Sequence, residues 1–369
     1  MIRLLLPAFV LLNLGGSAAL AQFGGGGIGG DFRGNLLESR RRNLHLVMLT
    51  IGDPNEHGDR MLTFRTRGTP GQRVQIVSPD LFHDQESGIG PQMTETQPGE
   101  FSLTIGPVPP GVYHYLGTNE PGNECASVTL PGKTLVEALD VPHGVVAELT
   151  RYSPQEEEFM RFHVYTPPGY EENDQSYPTL FLLWNHLLPS HSWIEIGRLN
   201  FILDNLIAQG RAQPMIVVVV SQPESIFDNN KQFRAEVIPY VEKNYRLKPG
   251  PENRAIAGCG EIEFALDADP QFAYLACFDS PFSIAGRNRF DEWVGLNNWK
   301  MRNDDIQKNV RLIWFGDQLH PRQNSNIDRL GLLLAEHKLP VEVFRSDRPN
   351  IWQSRREYFA DLLPRLFQK

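Results

Sequence analysis

Cysteine is scarce in this chain: Cys125, Cys259 and Cys277 are the only three in 369 residues. A count so small and odd excludes a disulfide framework, so an apolar core must hold the fold. Cys259 and Cys277 end two apolar runs that read as neighbouring strands; a bridge between them and a pair of buried thiols are both open readings. Long hydrophobic runs are lacking after the first fourteen residues. Met215–Val220, the densest later run, has the length of a strand and not the about 20 residues of a membrane span. Basic charge is also short, with 35 Lys and Arg against 44 Asp and Glu for a net charge of −9. The one dense basic run, Arg40–Arg42, reads as a solvated flank, and nucleic acid is excluded as a partner. Ligand spacing for a metal is missing as well. His186 and His191, taken with Glu261 or Glu263, form no recognisable set, so neither metal nor cofactor is expected.

What is present begins with a leader. Arg3, the apolar Leu4–Leu14 and the A-L-A of residues 19–21 form a cleavable signal peptide, residues 1–21, cut after Ala21. Secretion or a periplasmic address follows. Residues 22–43 are a flexible linker, because the glycines of Phe23–Gly30 lose too much entropy to settle. Residues 44–135 alternate in short β-type runs between Pro/Gly turns, which predicts a small β-sandwich of immunoglobulin-like type. Tyr113, Tyr115, Phe82 and His83 are candidates there for stacking on sugar rings, with core packing as the other reading of the two tyrosines. Residues 140–369 alternate strands with amphipathic helices, such as Ile194–Gln209, after an antiparallel pair at Val145–Tyr152 and Phe159–Tyr165. That pattern predicts a doubly wound, mostly parallel α/β sheet.

The stretch Arg254–Phe264, R-A-I-A-G-C-G-E-I-E-F, dominates this second half. It reads as strand, small-residue turn, helix, the scaffold of a nucleophile elbow that normally runs G-x-S-x-G. Gly258 supplies the first glycine, but Gly260 stands at the serine and Ile262 at the second glycine. An elbow nucleophile sits in strained backbone that costs on the order of 1–3 kcal/mol. Glycine relaxes that strain and removes the reacting hydroxyl.

Tyr165–Tyr170 (Y-T-P-P-G-Y), Tyr177–Leu183, Ile202–Ala208, Val237–Arg246 and Asn253–Gly258 occur in an order that resembles the bacterial feruloyl and enterochelin-type esterases of the α/β-hydrolase family. The resemblance implies an oxyanion region after Leu183, where this chain has Trp184 and Asn185. It implies a nucleophile at Gly260, followed by Glu261 in the oxyanion turn, and an acid at Asp317 in the loop after Val310–Gly316. It implies a base at Asn350, a position fixed by Trp352, Tyr358 and Leu362–Phe367. Of that triad only Asp317 has a suitable side chain.

Acyl transfer needs a nucleophile, a base to take its proton and an acid to orient the base. Gly260 has no side chain and Asn350 exchanges no proton near neutral pH, so the expectation is an inactive, exported esterase homologue. Its role would be structural or the binding of a carbohydrate or ester-bearing small molecule in the old cleft, with Trp184 filling part of the volume. The alternative is a working carboxylic-ester hydrolase on feruloyl, acetyl or siderophore-type esters. Cys259 would then act as a thiol nucleophile with an Asp317/His320 pair beside it, against the bulk of Glu261 two positions on, while His337 falls on a helix read as facing solvent.

Overall fold

The computed structural model describes residues 47–78, 80–82, 89–117, 126–154, 157–184, 190–221, 233–258, 272–278, 304–318, 327–348 and 351–368. Within 48–130 these form β1 (Met48–Ile51), β2 (Arg60–Arg67), β3 (Gln75–Val77), β4 (Ile89–Gln92), β5 (Thr94–Gln97), β6 (Glu100–Val108), β7 (Gly111–Gly117) and β8 (Ala126–Leu130). They pair as two four-stranded antiparallel sheets, β1-β2-β6-β5 and β4-β3-β7-β8. Strict alternation along β2 sends Leu62, Phe64 and Thr66 inward and Met61, Arg65 and Arg67 to the surface. Both sheets share one core, in which Phe64 meets Tyr115 edge to face at 5.1 Å. Tyr113 and Tyr115 are therefore core residues, each 7% exposed, and they offer no ring to a sugar. Phe82 packs partly buried against the same core, and His83 lies outside the described residues.

The second half builds one eight-stranded sheet. Its strands are β9 (Val145–Ser153), β10 (Glu158–Thr166), β11 (Thr179–Trp184), β12 (Ile216–Ser221), β13 (Arg254–Gly258), β14 (Tyr274–Phe278), β15 (Leu312–Gln318) and β16 (Val341–Ser346). The spatial order is β9-β10-β12-β11-β13-β14-β15-β16. Pairing is antiparallel at β9/β10 and β10/β12 and parallel from β12 through β16.

Central strands read as unbroken apolar runs because both faces are covered. Phe181, Leu183, Val218, Ile256 and Phe315 point to one layer, Leu180, Leu182, Val217, Ala257 and Trp314 to the other. Among the described residues six α-helices accompany the sheet: α1 (Ser192–Glu195), α2 (Leu199–Ala208), α3 (Ile238–Asn244), α4 (Asp304–Asn309), α5 (Ile327–Glu336) and α6 (Ile351–Leu362). Residues of α3, α4 and α5 fill the first layer, those of α1, α2 and α6 the second. The helix expected over Ile194–Gln209 is two helices, because Arg198 takes a left-handed φ of 58°. Gly197 before it passes so close to Trp193 that a Cβ would lie 2.6 Å from the Trp193 carbonyl oxygen.

The two halves are bolted together at α6. Arg356 donates from Nη1 to the Val112 carbonyl on β7 (2.8 Å) and from Nε and Nη2 to the Ile196 carbonyl (3.0 and 2.7 Å). Its guanidinium also lies 3.8 Å from the buried Asp80 carboxylate. That carboxylate accepts the His114 backbone N–H at 2.8 Å and contacts His114 Nδ1 at 3.0 Å. Burial pulls the Arg356 guanidinium below its ordinary value, and Asp80 pushes it back up.

Candidate active site

Chain order determines where a ligand fits. β11 pairs with β12 on one side and β13 on the other, so the crossovers leave in opposite directions; in open α/β sheets such a switch point, here at the carboxyl ends of β11 and β13, is where a ligand crevice forms. Gly258, the first glycine of the elbow motif, ends β13 at this switch point. β11 ends on Trp184, paired with Ser221, and β13 ends on Gly258, flanked by Leu183 and Cys277. Gly258 has a φ of +150°, near the edge of the region that L side chains rarely enter. Cys277, beside it on β14, is buried in the core. Asn185, Cys259, Gly260, Glu261, His320 and Asn350 lie outside the described residues, as does the Trp184 side chain.

Asp317 is described, and its setting differs from the expected loop. It lies within β15, opposite Arg345 of β16. Arg345 Nε approaches Asp317 Oδ2 at 3.5 Å, and its Nη2 donates to Asp328 Oδ1 at 2.5 Å. The Asp317 side chain is only 13% exposed, against 78% for Asp328. Arg345 thus faces two carboxylates, Asp317 on the neighbouring strand and the exposed Asp328. Sequence reasoning did not find Arg345. Its only signal is an arginine near the end of an apolar strand, and the pairing with Asp317 exists only once β15 and β16 are in register.

A second polar pair also escaped the sequence. His163 Nδ1 and Ser190 Oγ are 3.0 Å apart, and both residues are buried. Glu148 is the cross-strand partner of His163. Burial lowers the His163 pKa, with Glu148 opposing the shift, so a neutral imidazole is favoured there. Ser190 is 4% exposed, which withholds its hydroxyl from an acyl donor, and the pair ties the start of α1 to β10.

A third cluster lies at the opposite, amino edge of the parallel strands, where Tyr165 pairs with Val217. Asp204 of α2 accepts there from Tyr165 Oη (2.6 Å), the Gly144 N–H (2.9 Å) and His143 Nδ1 (2.8 Å). Its distance from the crevice makes it a clamp and not a reacting group. Among the described residues no group of three or more His, Cys, Asp or Glu is placed to hold a metal, and no helix is long and apolar enough to cross a membrane.

No family model matches the chain. An endo-1,4-β-xylanase/feruloyl esterase of Xylanibacter ruminicola is 29% identical over 187 residues, covering 42% of this chain. The chain spans about a quarter (26%) of the length of that relative. Among solved structures, a ferulic acid esterase superposes with a TM-score of 0.52 at 21% identity, covering 61% of this chain and 98% of its own. The enterochelin esterase of Shigella flexneri superposes with a TM-score of 0.58 at 13% identity, covering 90% of this chain and 97% of its own. The strand order, the two helical layers and these likenesses agree: the chain has the α/β-hydrolase fold, of the form found in feruloyl and enterobactin esterases.

Proposed function

We propose that this chain is an esterase-type α/β-hydrolase that binds a ligand at the crevice and does not turn it over. The observation that carries the reading is the set of residue types at the triad positions, of which only Asp317 keeps one suited to catalysis. Gly260 follows β13 without a hydroxyl, and Asn350 precedes α6 without a proton to exchange. Backbone donors at the turn could polarise a carbonyl, but without nucleophile and base they give only a residual rate far below that of a working enzyme. Export through the leader at residues 1–21 belongs to the same proposal, and it would place the crevice among extracellular or periplasmic ligands.

Covalent trapping tests the loss of the nucleophile. Incubated with excess fluorophosphonate, the folded chain should keep its intact mass, because the nucleophile position holds Gly260 in place of a serine. An adduct mapped to any serine, Ser190 included, would contradict the proposal.

A further inference from the structure

The β9–β10 hairpin carries an unexplained pair of exposed rings. Tyr152 and Phe159 are direct cross-strand partners, 52% and 69% exposed, with centroids 5.4 Å apart at 68°. Together they form a small exposed aromatic patch. Register places them. Phe162 pairs with Val220, one residue before the end of β12, so Phe159 lies three residues further on. At about 3.4 Å per residue it projects about 10 Å past Val220, on the carboxyl side of the parallel strands. The rings stand on the rim of the crevice edge, about three strand spacings of about 4.8 Å from β13.

Alternation brings polar side chains onto the same face. Thr150 and Arg161 are the next same-face pair inward from the rings, and both are exposed; Glu148 and His163 follow. Ser190, which meets His163 at 3.0 Å, brings the start of the α1 segment, with the exposed His191 and Glu195, to the inner end of this strip. The surface thus joins two aromatic faces to interspersed donors and acceptors of both signs. A polyanion would meet Glu148 and Glu195, and the apolar area is only two rings wide, too narrow for the apolar core of a stable protein interface. A neutral sugar fits both halves: its C–H face lies on an aromatic ring while its hydroxyls reach carboxylate, guanidinium and threonine. We infer that the β9–β10 hairpin is a binding platform for a neutral glycan chain, with Tyr152 and Phe159 as its stacking rings. The inference rests on the reading of the crevice as a binding site and names the class of ligand that runs from the rim toward it.

The test is native affinity electrophoresis of the full chain in gels holding dextran, hydroxyethylcellulose or xylan, with Tyr152→Ala/Phe159→Ala and Phe159→Tyr alongside. The parent should be retarded by at least one polymer. The double variant should lose that retardation, with a Kd at least tenfold weaker, while Phe159→Tyr keeps it. Because both rings are exposed, the double variant should retain the parent's circular dichroism and melting. Absence of retardation by all three polymers would overturn the inference, as would retardation unchanged in the double variant. Conversion of a parent dimer to monomer by the double variant, read by light scattering, would overturn it too by making the patch an interface between copies. None of these outcomes alters the fluorophosphonate result, so the two readings fail separately.

Discussion

Replacing Asp204 by alanine should cost about 3–5 kcal/mol of stability, since it leaves the Tyr165 hydroxyl and the Gly144 N–H without an acceptor at about 1–3 kcal/mol for each unsatisfied group. Asp204 is 1% exposed and accepts three hydrogen bonds, from a phenol, a backbone N–H and an imidazole. Alanine leaves the buried Tyr165 hydroxyl without its acceptor and His143 without its anion, although the other ring nitrogen of His143 still reaches the Leu139 carbonyl at 2.9 Å. These groups connect the segment before β9, strand β10 and helix α2, so three elements loosen together. Asp204→Asn keeps an acceptor for Tyr165 and Gly144 and loses the charge, so it should cost less, about 1.5–3 kcal/mol. Urea denaturation of the three proteins checks the order. An Asp204→Ala chain within about 0.5 kcal/mol of the parent would mean that the cluster is not a clamp.

Arg356→Met should be as damaging and should also change how the chain unfolds. The guanidinium makes three hydrogen bonds to backbone carbonyls of both halves and faces Asp80. Methionine fills much of the volume but leaves Asp80, 4% exposed, with His114 and no cation. We expect a loss of about 3–5 kcal/mol and a single calorimetric transition splitting into two as the halves uncouple. Asp80→Asn in the Arg356→Met background should restore part of the loss, since it removes the stranded charge. One unsplit transition at the parent temperature would show that other contacts couple the halves.

The outline of this fold was legible because its central strands are buried on both faces. Runs such as Met215–Val220 cannot hide in a helix of that length, and the helices between them carry one-sided stripes. Short strands with little burial left no such trace. All four residues of β5 are exposed, and β4 is only four residues long, so neither showed an apolar alternation. The break between α1 and α2 was missed because Leu199–Ala208 continues the apolar spacing across a left-handed residue. At the site, the motif after β13 and the Asp317 position were readable as residue types at fixed spacing. Their partners were not. Asp317 with Arg345, His163 with Ser190 and Arg356 with Val112 are pairs made by sheet register and helix packing across 27 to 244 positions, distances over which no local pattern operates.

The central claim is that a hydrolase scaffold persists here without hydrolysis. Initial rates with p-nitrophenyl acetate and methyl ferulate, for the parent and for Cys259→Ala, test it most directly. Both proteins should match the enzyme-free background at every substrate concentration. Saturable turnover by the parent that vanishes in Cys259→Ala would contradict the account and establish a thiol esterase; turnover that survives the substitution would contradict it through another nucleophile.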